Sequence, residues 1–344
     1  MQDGFVQLMQ TLAPDLAQEM ALRALVLERI GSMAPVGRRQ LAARLSLTER
    51  EIRSAANNLK EGGFISFDAS GMTLTARGQE VLPAVQEFTR ELRGLTELED
   101  CLASALNVTR VCVVSGDADA DESVQTEVGR AAAHRVRSLL HNGSTMAVTG
   151  GSTIAAVARA MTSGAAMRVM VVPARGGLGR ADVTTQANTL AAEIAGRLGG
   201  SHRLIHLPDH MDEAAKQEML RLPDVREVME LIQRADVILH GIGSAEENIR
   251  ETKLSPSQAR KLLADGAVGE AFGSYFDREG RCLLESSSIG VDLARLSPSS
   301  RMIAVACGRR KAEAIIAVMK HDRHELLVTD EGAACEMLRI LDTP

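Results

Sequence analysis

A chain of 344 residues with 45% hydrophobic and 24% charged residues has the length of two domains and the make-up of a globular protein, which excludes disordered and fibrous classes. Its net charge of −6 excludes a protein that coats nucleic acid over its whole surface, but leaves room for a local basic patch. With no Trp, one Tyr and six Phe, the core must be built from Ala, Leu, Val, Ile and Met.

The opening stretch MQDGFVQLMQTLAPDLAQEMALR carries acids early and has no uninterrupted apolar run, so it does not read as a signal peptide. No segment reaches the ~20 apolar residues needed to cross a bilayer, which points to a cytoplasmic protein without a membrane partner. The cysteines, Cys101, Cys112, Cys282, Cys307 and Cys335, are odd in number and form no CxxC pair. Buried free thiols in a reducing cytosol are the expected reading, with metal binding a remote alternative and no metal site assigned.

Two styles of sequence meet near residue 90, so domains over 1–89 and 90–344 are expected. In the first, PVGRRQLAARLSLTEREIRSAANNLKEGGFI (35–65) predicts a short helix from Arg38 to Leu45, a tight turn at Ser46-Leu47, and a second helix opened by Thr48. Thr48 with Glu51 three residues on is a capping box. Ile52, Ala55, Ala56 and Leu59 form the inward stripe of this second helix, and Arg50, Arg53 and Asn57 share the opposite face. Two helices joined by a short turn, the second carrying long donors outward, are a helix-turn-helix fitted to the major groove, where Arg reads guanine and Asn reads adenine. FISFDASGMTLT (64–75) follows as the wing of a winged helix. Arg38 and Arg39 sit at a helix start, where positive charge is unfavourable unless a phosphate meets it. The alternative is a solvated helical face in a protein-binding winged helix.

Residues 82–107 place Leu82, Val85, Phe88, Leu92, Leu95 and Leu98 at helical spacing, so one linking helix is expected, packed as a linker or as a dimer contact. Beyond it, apolar runs RVCVVS (110–115), TMAVT (145–149), RVMVVP (168–173), RLIHLP (203–208), ADVILHG (235–241), MIAVACG (302–308) and ELLVTD (325–330) alternate with helix-length segments. That alternation predicts an α/β domain, a doubly wound, mostly parallel sheet with helices on both faces.

AVTGGSTIAAVARAM (147–161) reads as a strand, a turn and a helix. Glycines at 150 and 151 let an anion approach the backbone, the helix start supplies unpaired amides, and Ser152 and Thr153 add hydroxyls. The spacing is neither a Walker motif nor GxGxxG, so a dinucleotide is not expected, and a plain capped helix stays open as an alternative. Arg175 follows a strand in VPARGGLG (172–179), Gln186 opens a helix, Glu270 lies in GEAFGSYF (269–276), and Lys311 starts a helix in GRRKAEAI (308–315). Turns that follow strands gather at the carboxyl edge of a parallel sheet. Cations for phosphate with Gln186 and Glu270 as acceptors for hydroxyls suit a phosphorylated sugar.

GRRQLA, LTEREIRSAANNLKEGG and GMTLTARG in the first region, with AVTGGSTIAAVA, VPARGGLG, QANTLAAEIA, HGIG, EAFGSYF, KAEAI and VTDEGAA in the second, resemble the central glycolytic genes repressors of the SorC/DeoR-like family of sugar-phosphate-responsive transcription regulators. The resemblance spans nearly the whole chain in the family's order. It implies a winged helix-turn-helix domain joined to an effector-binding and oligomerisation domain of the sugar-phosphate isomerase and deaminase type (NagB/ribose-5-phosphate isomerase-like). It further implies repression of glycolytic genes relieved by fructose-1,6-bisphosphate, with dimers and tetramers on operator DNA, no cofactor and no catalytic residue. Carried over by motif, Gly150, Gly151, Ser152 and Thr153 grip one phosphate, while Arg175, Gln186, Glu270 and Lys311 complete the pocket.

Ser152 stands where these repressors commonly show a second threonine, and Arg309 and Arg310 where small polar residues are usual. The added charge suits an anion and could change which sugar phosphate is preferred. The rival reading is an isomerase or deaminase of the same fold, which needs a carboxylate or His over the substrate. Glu270, Asp209, His210, Asp212 and Glu213 are the candidates, with His210 also readable as a solvated loop residue. An attached DNA reader favours sensing over turnover.

Overall fold

The computed structural model describes residues 9, 11–45, 47–162, 166–176, 182–208, 211–251 and 254–342. It forms two compact units, Met1–Glu97 and Leu98–Pro344. Ser46, Gly177–Gly179, Asp209 and His210, named above, lie outside the described residues.

The first unit runs α1 (Pro14–Met33), α2 (Arg38–Leu45), α3 (Glu49–Glu61), β1 (Ile65–Asp68), β2 (Gly71–Leu74) and α4 (Ala76–Leu92). Pro14 opens α1, where its missing N–H costs no helical bond. Thr48 caps α3 as the sequence predicts: its hydroxyl accepts from the Glu51 amide at 3.2 Å, and the Glu51 carboxylate accepts from the Thr48 amide at 2.7 Å. The expected inward stripe of Ile52, Ala55, Ala56 and Leu59 is buried against Leu27, Ile30, Leu41 and Met72. The two strands form an antiparallel hairpin from Ile65↔Leu74 to Asp68↔Gly71, turned by Asp68, whose carboxylate accepts from the amides of Ser70 and Gly71. Val36 adds a bridge to Met72, which completes a winged helix.

Residues 82–107 are not one helix. α4 ends at Leu92 and a new helix, α5 (Leu95–Leu106), begins after Arg93 and Gly94. Gly94 takes the left-handed conformation (φ 64°) that terminates helices, so the apolar period continues through a break in the backbone.

The second unit continues β3 (Arg110–Val114), α6 (Glu122–Leu139), β4 (Thr145–Val148), α7 (Ser152–Ala160), β5 (Met170–Pro173), α8 (Ala187–Leu198) and β6 (Ser201–His202). Then come α9 (Glu213–Arg221), α10 (Pro223–Gln233) and β7 (Val237–Gly241). An insertion of β8 (Gly243–Ser244), α11 (Ala245–Glu251), α12 (Pro256–Ala264), β9 (Ala267–Ala271), β10 (Ser274–Asp277) and β11 (Cys282–Leu284) follows. The chain closes with β12 (Arg301–Val305), α13 (Ala312–His321), β13 (Leu326–Asp330) and α14 (Glu331–Leu341).

Seven strands form a parallel sheet in the order β3-β13-β12-β7-β4-β5-β6. Along β7, Val237 and Leu239 point into one apolar layer with Val128 of α6, Ile154 of α7 and Ile194 of α8, and Ile238 into another with Val228 and Ile232 of α10. Helices on both faces explain why these strands read as continuous apolar runs. β8 to β11 form a separate antiparallel sheet. From β4 the chain winds outward through β5 and β6; from β7 it winds the other way through β12 and β13. The winding direction therefore reverses between β4 and β7, and in open α/β sheets the carboxyl ends of the strands at such a reversal are where ligands bind.

The run 203–208 is not the strand expected of it. The ladder is limited to Ser201–His202, and Ile205 is held by a side chain instead: Asn188 donates to its carbonyl at 2.8 Å and accepts from its amide at 3.2 Å. The run is apolar because Ile205 and Leu207 fill the layer beneath α10. All five cysteines are unpaired; Cys112 and Cys307 are buried as expected, whereas Cys101 and Cys335 are exposed.

Candidate functional site

On α3, Arg50, Arg53 and Asn57 are exposed on the face opposite the buried stripe. Arg38 and Arg39 are exposed at the start of α2, where Arg39 lies 3.2 Å from Glu49 in a solvent-exposed pair of the kind worth little. Thr48 spends its side chain on the cap rather than on an outward contact.

In the second unit, the turn Thr149–Thr153 leaves β4 at the point where the winding reverses, and Gly241 ends β7 beside it. The Thr149 amide donates to the Leu239 carbonyl at 3.0 Å, and the Gly241 amide donates to the Thr149 hydroxyl at 3.1 Å. The two glycines are required for different reasons. Gly151 has φ 119°, which a side chain disfavours. Gly150 lies so close to the next loop that a Cβ there would stand 2.7 Å from the Thr185 carbonyl oxygen. The Gly151 amide donates to that carbonyl at 2.8 Å, which docks the turn against Gln186 at the start of α8. The first intrahelical bond of α7 is Ala155 to Gly151, so the amides of Ser152, Thr153 and Ile154 belong to a helix N-terminus with its positive dipole end. Ser152 is exposed and Thr153 is buried.

The other expected residues meet on the same edge. Arg175 follows β5, where the backbone of Ala174 to Gly176 pairs with Ile289 to Val291. Its guanidinium lies 4.0 Å from the Glu270 carboxylate, both largely shielded from solvent. Glu270, on β9, accepts from the Gly273 amide at 2.6 Å. Burial pushes its pKa up, while Arg175, the Gly273 amide and Lys311 work in the opposite direction. Lys311 ends the 3-10 turn after β12 and caps α13 from a position where a helix dipole opposes a cation. It also faces Cys307, whose thiol is pushed up to about 12 by burial and then by the Asp330 charge, with Lys311 and a hydrogen bond to Thr153 opposing. Gly150 to Thr153, Gln186, Arg175, Glu270 and Lys311 thus line one edge.

Arg309 and Arg310 do not add free charge to this edge. Arg309 pairs with Asp117 at 3.4 Å, and Arg310 with Asp119 at 3.0 Å and Glu247 at 3.4 Å. Asp212, a candidate base for the enzyme reading, caps α9 through the Ala215 amide at 2.7 Å, and Glu213 pairs with Gln217. Residues the sequence reading missed complete the surroundings. Gln125 of α6 donates to the Ser152 hydroxyl at 3.2 Å. Asp330, fully buried, accepts from the amides of Ala118, Gly308 and Ala333, which ties together the loops after β3, β12 and β13. Only the short VTDEGAA motif hinted at this carboxylate, since its partners are backbone amides distant in sequence.

A sugar-binding domain model matches residues 90–339, and the CggR N-terminal DNA-binding domain matches residues 20–89. The chain is 40% identical over 338 residues to the central glycolytic genes regulator of Priestia megaterium, covering 98% of both proteins. The chain belongs to the central glycolytic genes regulator family. The central glycolytic genes regulator of Bacillus subtilis is 39% identical over 97% of this chain and 98% of its own length. Among solved structures, a SorC family transcriptional regulator from Enterococcus faecalis superposes with a TM-score of 0.65 at 35% identity, over 70% of this chain and 99% of its own. The full-length sorbitol operon regulator SorC from Klebsiella pneumoniae shares the fold, with a TM-score of 0.64 at 19% identity over 88% of this chain and 94% of its own. This transcriptional regulator joins a DNA-binding domain to a sugar-binding domain, and among its described residues no helix is long and apolar enough to cross a membrane.

Proposed function

We propose that the protein is a cytoplasmic, homo-oligomeric repressor of glycolytic genes whose hold on operator DNA is set by a phosphorylated sugar, fructose-1,6-bisphosphate foremost, and that it is not an enzyme. The observation that carries this reading is the gathering of an anion-accepting helix turn, two cations and one carboxylate where the sheet's winding reverses. The amides after Gly151 and the hydroxyls of Ser152 and Thr153 take one phosphate. Arg175 and Lys311 supply positive charge for the rest of the anion, and Gln186 and Glu270 accept from sugar hydroxyls. In the first domain Arg50, Arg53 and Asn57 read base edges, while Arg38 and Arg39 meet phosphates and Thr48 holds the reading helix at its start. The domain division at residue 89/90 follows from the change of sequence pattern there, and assembly into dimers and tetramers on DNA from the family resemblance.

The test is fluorescence anisotropy of a labelled operator duplex, titrated with fructose-1,6-bisphosphate. Lys311→Ala removes a charge-assisted contact, so it is expected to cost effector affinity by ~1.5–3 kcal/mol while leaving operator affinity without effector intact. Such a variant stays on DNA at effector levels that release the parent. Identical release curves for parent and variant refute the site. Conversion of the sugar phosphate at an enzyme-like rate, abolished in Glu270→Gln, moves the protein into the isomerase or deaminase class.

A further inference from the structure

Glu270 is not held by its charge partners alone. Its Oε1 accepts from the Gly273 amide at 2.6 Å, and its Oε2 accepts from Asn248 Nδ2 at 3.3 Å. Asn248 lies on α11, and its Oδ1 accepts from the hydroxyl of Tyr275 at 2.6 Å. Tyr275, the chain's one tyrosine, is buried on β10 directly across the ladder from Glu270. Gly243 pairs with Glu270 from the other side, and a Cβ there would stand 3.2 Å from Oε2, so the missing side chain is the space the carboxylate occupies.

The relay has a direction. Asn248 turns its Oδ1 toward the Tyr275 hydroxyl, which donates to it, and its NH₂ toward Glu270, and an NH₂ group stabilises a carboxylate, not a carboxylic acid O–H. Reversing the amide would turn Oδ1 toward Glu270 and favour the protonated acid. The other charged groups facing Glu270 are Arg175, from the segment after β5, and Lys311, from the turn after β12; Glu247, next to Asn248, is engaged by Arg310 instead. Burial alone drives Glu270 toward protonation, so a donor fixed in this sense works against it.

We propose that Asn248 and Tyr275 are positioning residues of the effector site, locking Glu270 as an ionised acceptor aimed at the hydroxyls of a phosphorylated sugar. This rests on the effector-site reading above. An ionised Glu270 rejects a ligand that would place a second carboxylate or phosphate against it, so the relay selects for a neutral, hydroxylated segment between anionic ends.

The test is calorimetric titration of the full chain with fructose-1,6-bisphosphate from pH 6 to pH 8.5, for the parent, Tyr275→Phe and Asn248→Asp. The variant-to-parent ratio at each pH cancels the ligand's own ionisation. Tyr275→Phe keeps the ring's shape and is expected to weaken binding about five- to tenfold at pH 6 and less than about twofold at pH 8.5. Asn248→Asp, which keeps size and adds a like charge, is expected to widen the gap at low pH further. A parent that binds no sugar phosphate overturns the effector-site reading and this proposal with it. A parent that binds, with variant ratios flat across pH, overturns the positioning role alone. Circular dichroism melts run beside the titrations; should Tyr275→Phe fail to fold, the Asn248→Asp ratio decides.

Discussion

Replacing Gly150 with Ala tests the docking of the turn most directly. The added methyl would stand 2.7 Å from the Thr185 carbonyl oxygen and 3.3 Å from the Ala187 amide nitrogen. Both are backbone atoms, so neither can rotate away; the loop must retreat by roughly half an ångström or the turn must shift. Overpacking of this kind costs ~1–3 kcal/mol, and stretching the 2.8 Å bond from the Gly151 amide to Thr185 costs about another 1 kcal/mol. A loss of about 2–4 kcal/mol is expected to lower the melting temperature of a domain this size by ~4–16 °C. Effector affinity is expected to fall more than about tenfold, because the turn and Gln186 are pushed apart at the place where the proposed site uses both. Gly151→Ala meets open space within 4 Å but carries φ 119°, so its expected loss of ~1–3 kcal/mol is backbone strain without displacement of the 185–187 loop. Gly196→Ala, exposed inside α8 with nothing within 4 Å, is the control and is expected to stabilise by ~1 kcal/mol. Thermal melts with and without fructose-1,6-bisphosphate measure all three. A Gly150→Ala variant with the parent's melting temperature and effector affinity refutes the reasoning.

Arg53→Ala is expected to weaken operator binding by ~1–3 kcal/mol and relax specificity at one base position, whereas Arg38→Ala should weaken all sequences alike and reduce the salt slope by about 1; gel-shift titrations at several salt concentrations separate them. The buried pair His240 and His324, with ring nitrogens 2.9 Å apart, is expected to destabilise the second unit in acid. Burial depresses both, His324 to about 4, so the neutral form's stabilisation is complete above the unfolded value of ~6.5 and is lost as pH falls from there toward 4, about 3 kcal/mol for His324. Urea unfolding at pH 7 and pH 5 should show a smaller loss in His324→Gln than in the parent, and equal losses count against the assignment.

What the sequence made legible is what repeats locally. The capping box at Thr48 and Glu51, the inward stripe of α3 and the parallel strands all depend on spacing within one element, and the structure shows them where spacing put them. The misses lie where a local signal competes with a longer one. Leu92, Leu95 and Leu98 keep helical period across Gly94, and nothing in that period registers that the glycine has turned left-handed. The run 203–208 is apolar enough for a strand, but it has left the edge of the ladder, and Asn188 supplies what a neighbouring strand would have supplied. Arg309 and Arg310 read as free cations because Asp117, Asp119 and Glu247 are far away in sequence. The relay from Tyr275 through Asn248 to Glu270 was invisible for the same reason: Glu270 and Tyr275 share the stretch GEAFGSYF, but Asn248, which joins them, lies more than twenty residues away on a helix.

The same edge could serve catalysis or sensing, and what separates them is how Glu270 is held. A base that moves a proton between sugar carbons must release its grip on its own proton during turnover, and an enzyme gains rate only from contacts that strengthen in the transition state. Glu270 has a donor on each oxygen and a cation at 4.0 Å, contacts that hold it as an acceptor. They favour tight binding of a ground-state hydroxyl, which is what a sensor needs. The position of the turn adds the second requirement. Thr149 is bonded to β7 while Gly151 is bonded to the loop before α8, so an anion seated on the turn touches segments that wind away on opposite sides of the sheet. A ligand shifts an equilibrium only by its difference in affinity for the two states, and a site assembled from both windings is sensitive to any change in their spacing. On the proposed reading, substitutions at Lys311 and Gly150 are expected to act on the response to effector and substitutions at Arg53 on the operator, and the two sets should combine additively unless the sensing is carried elsewhere.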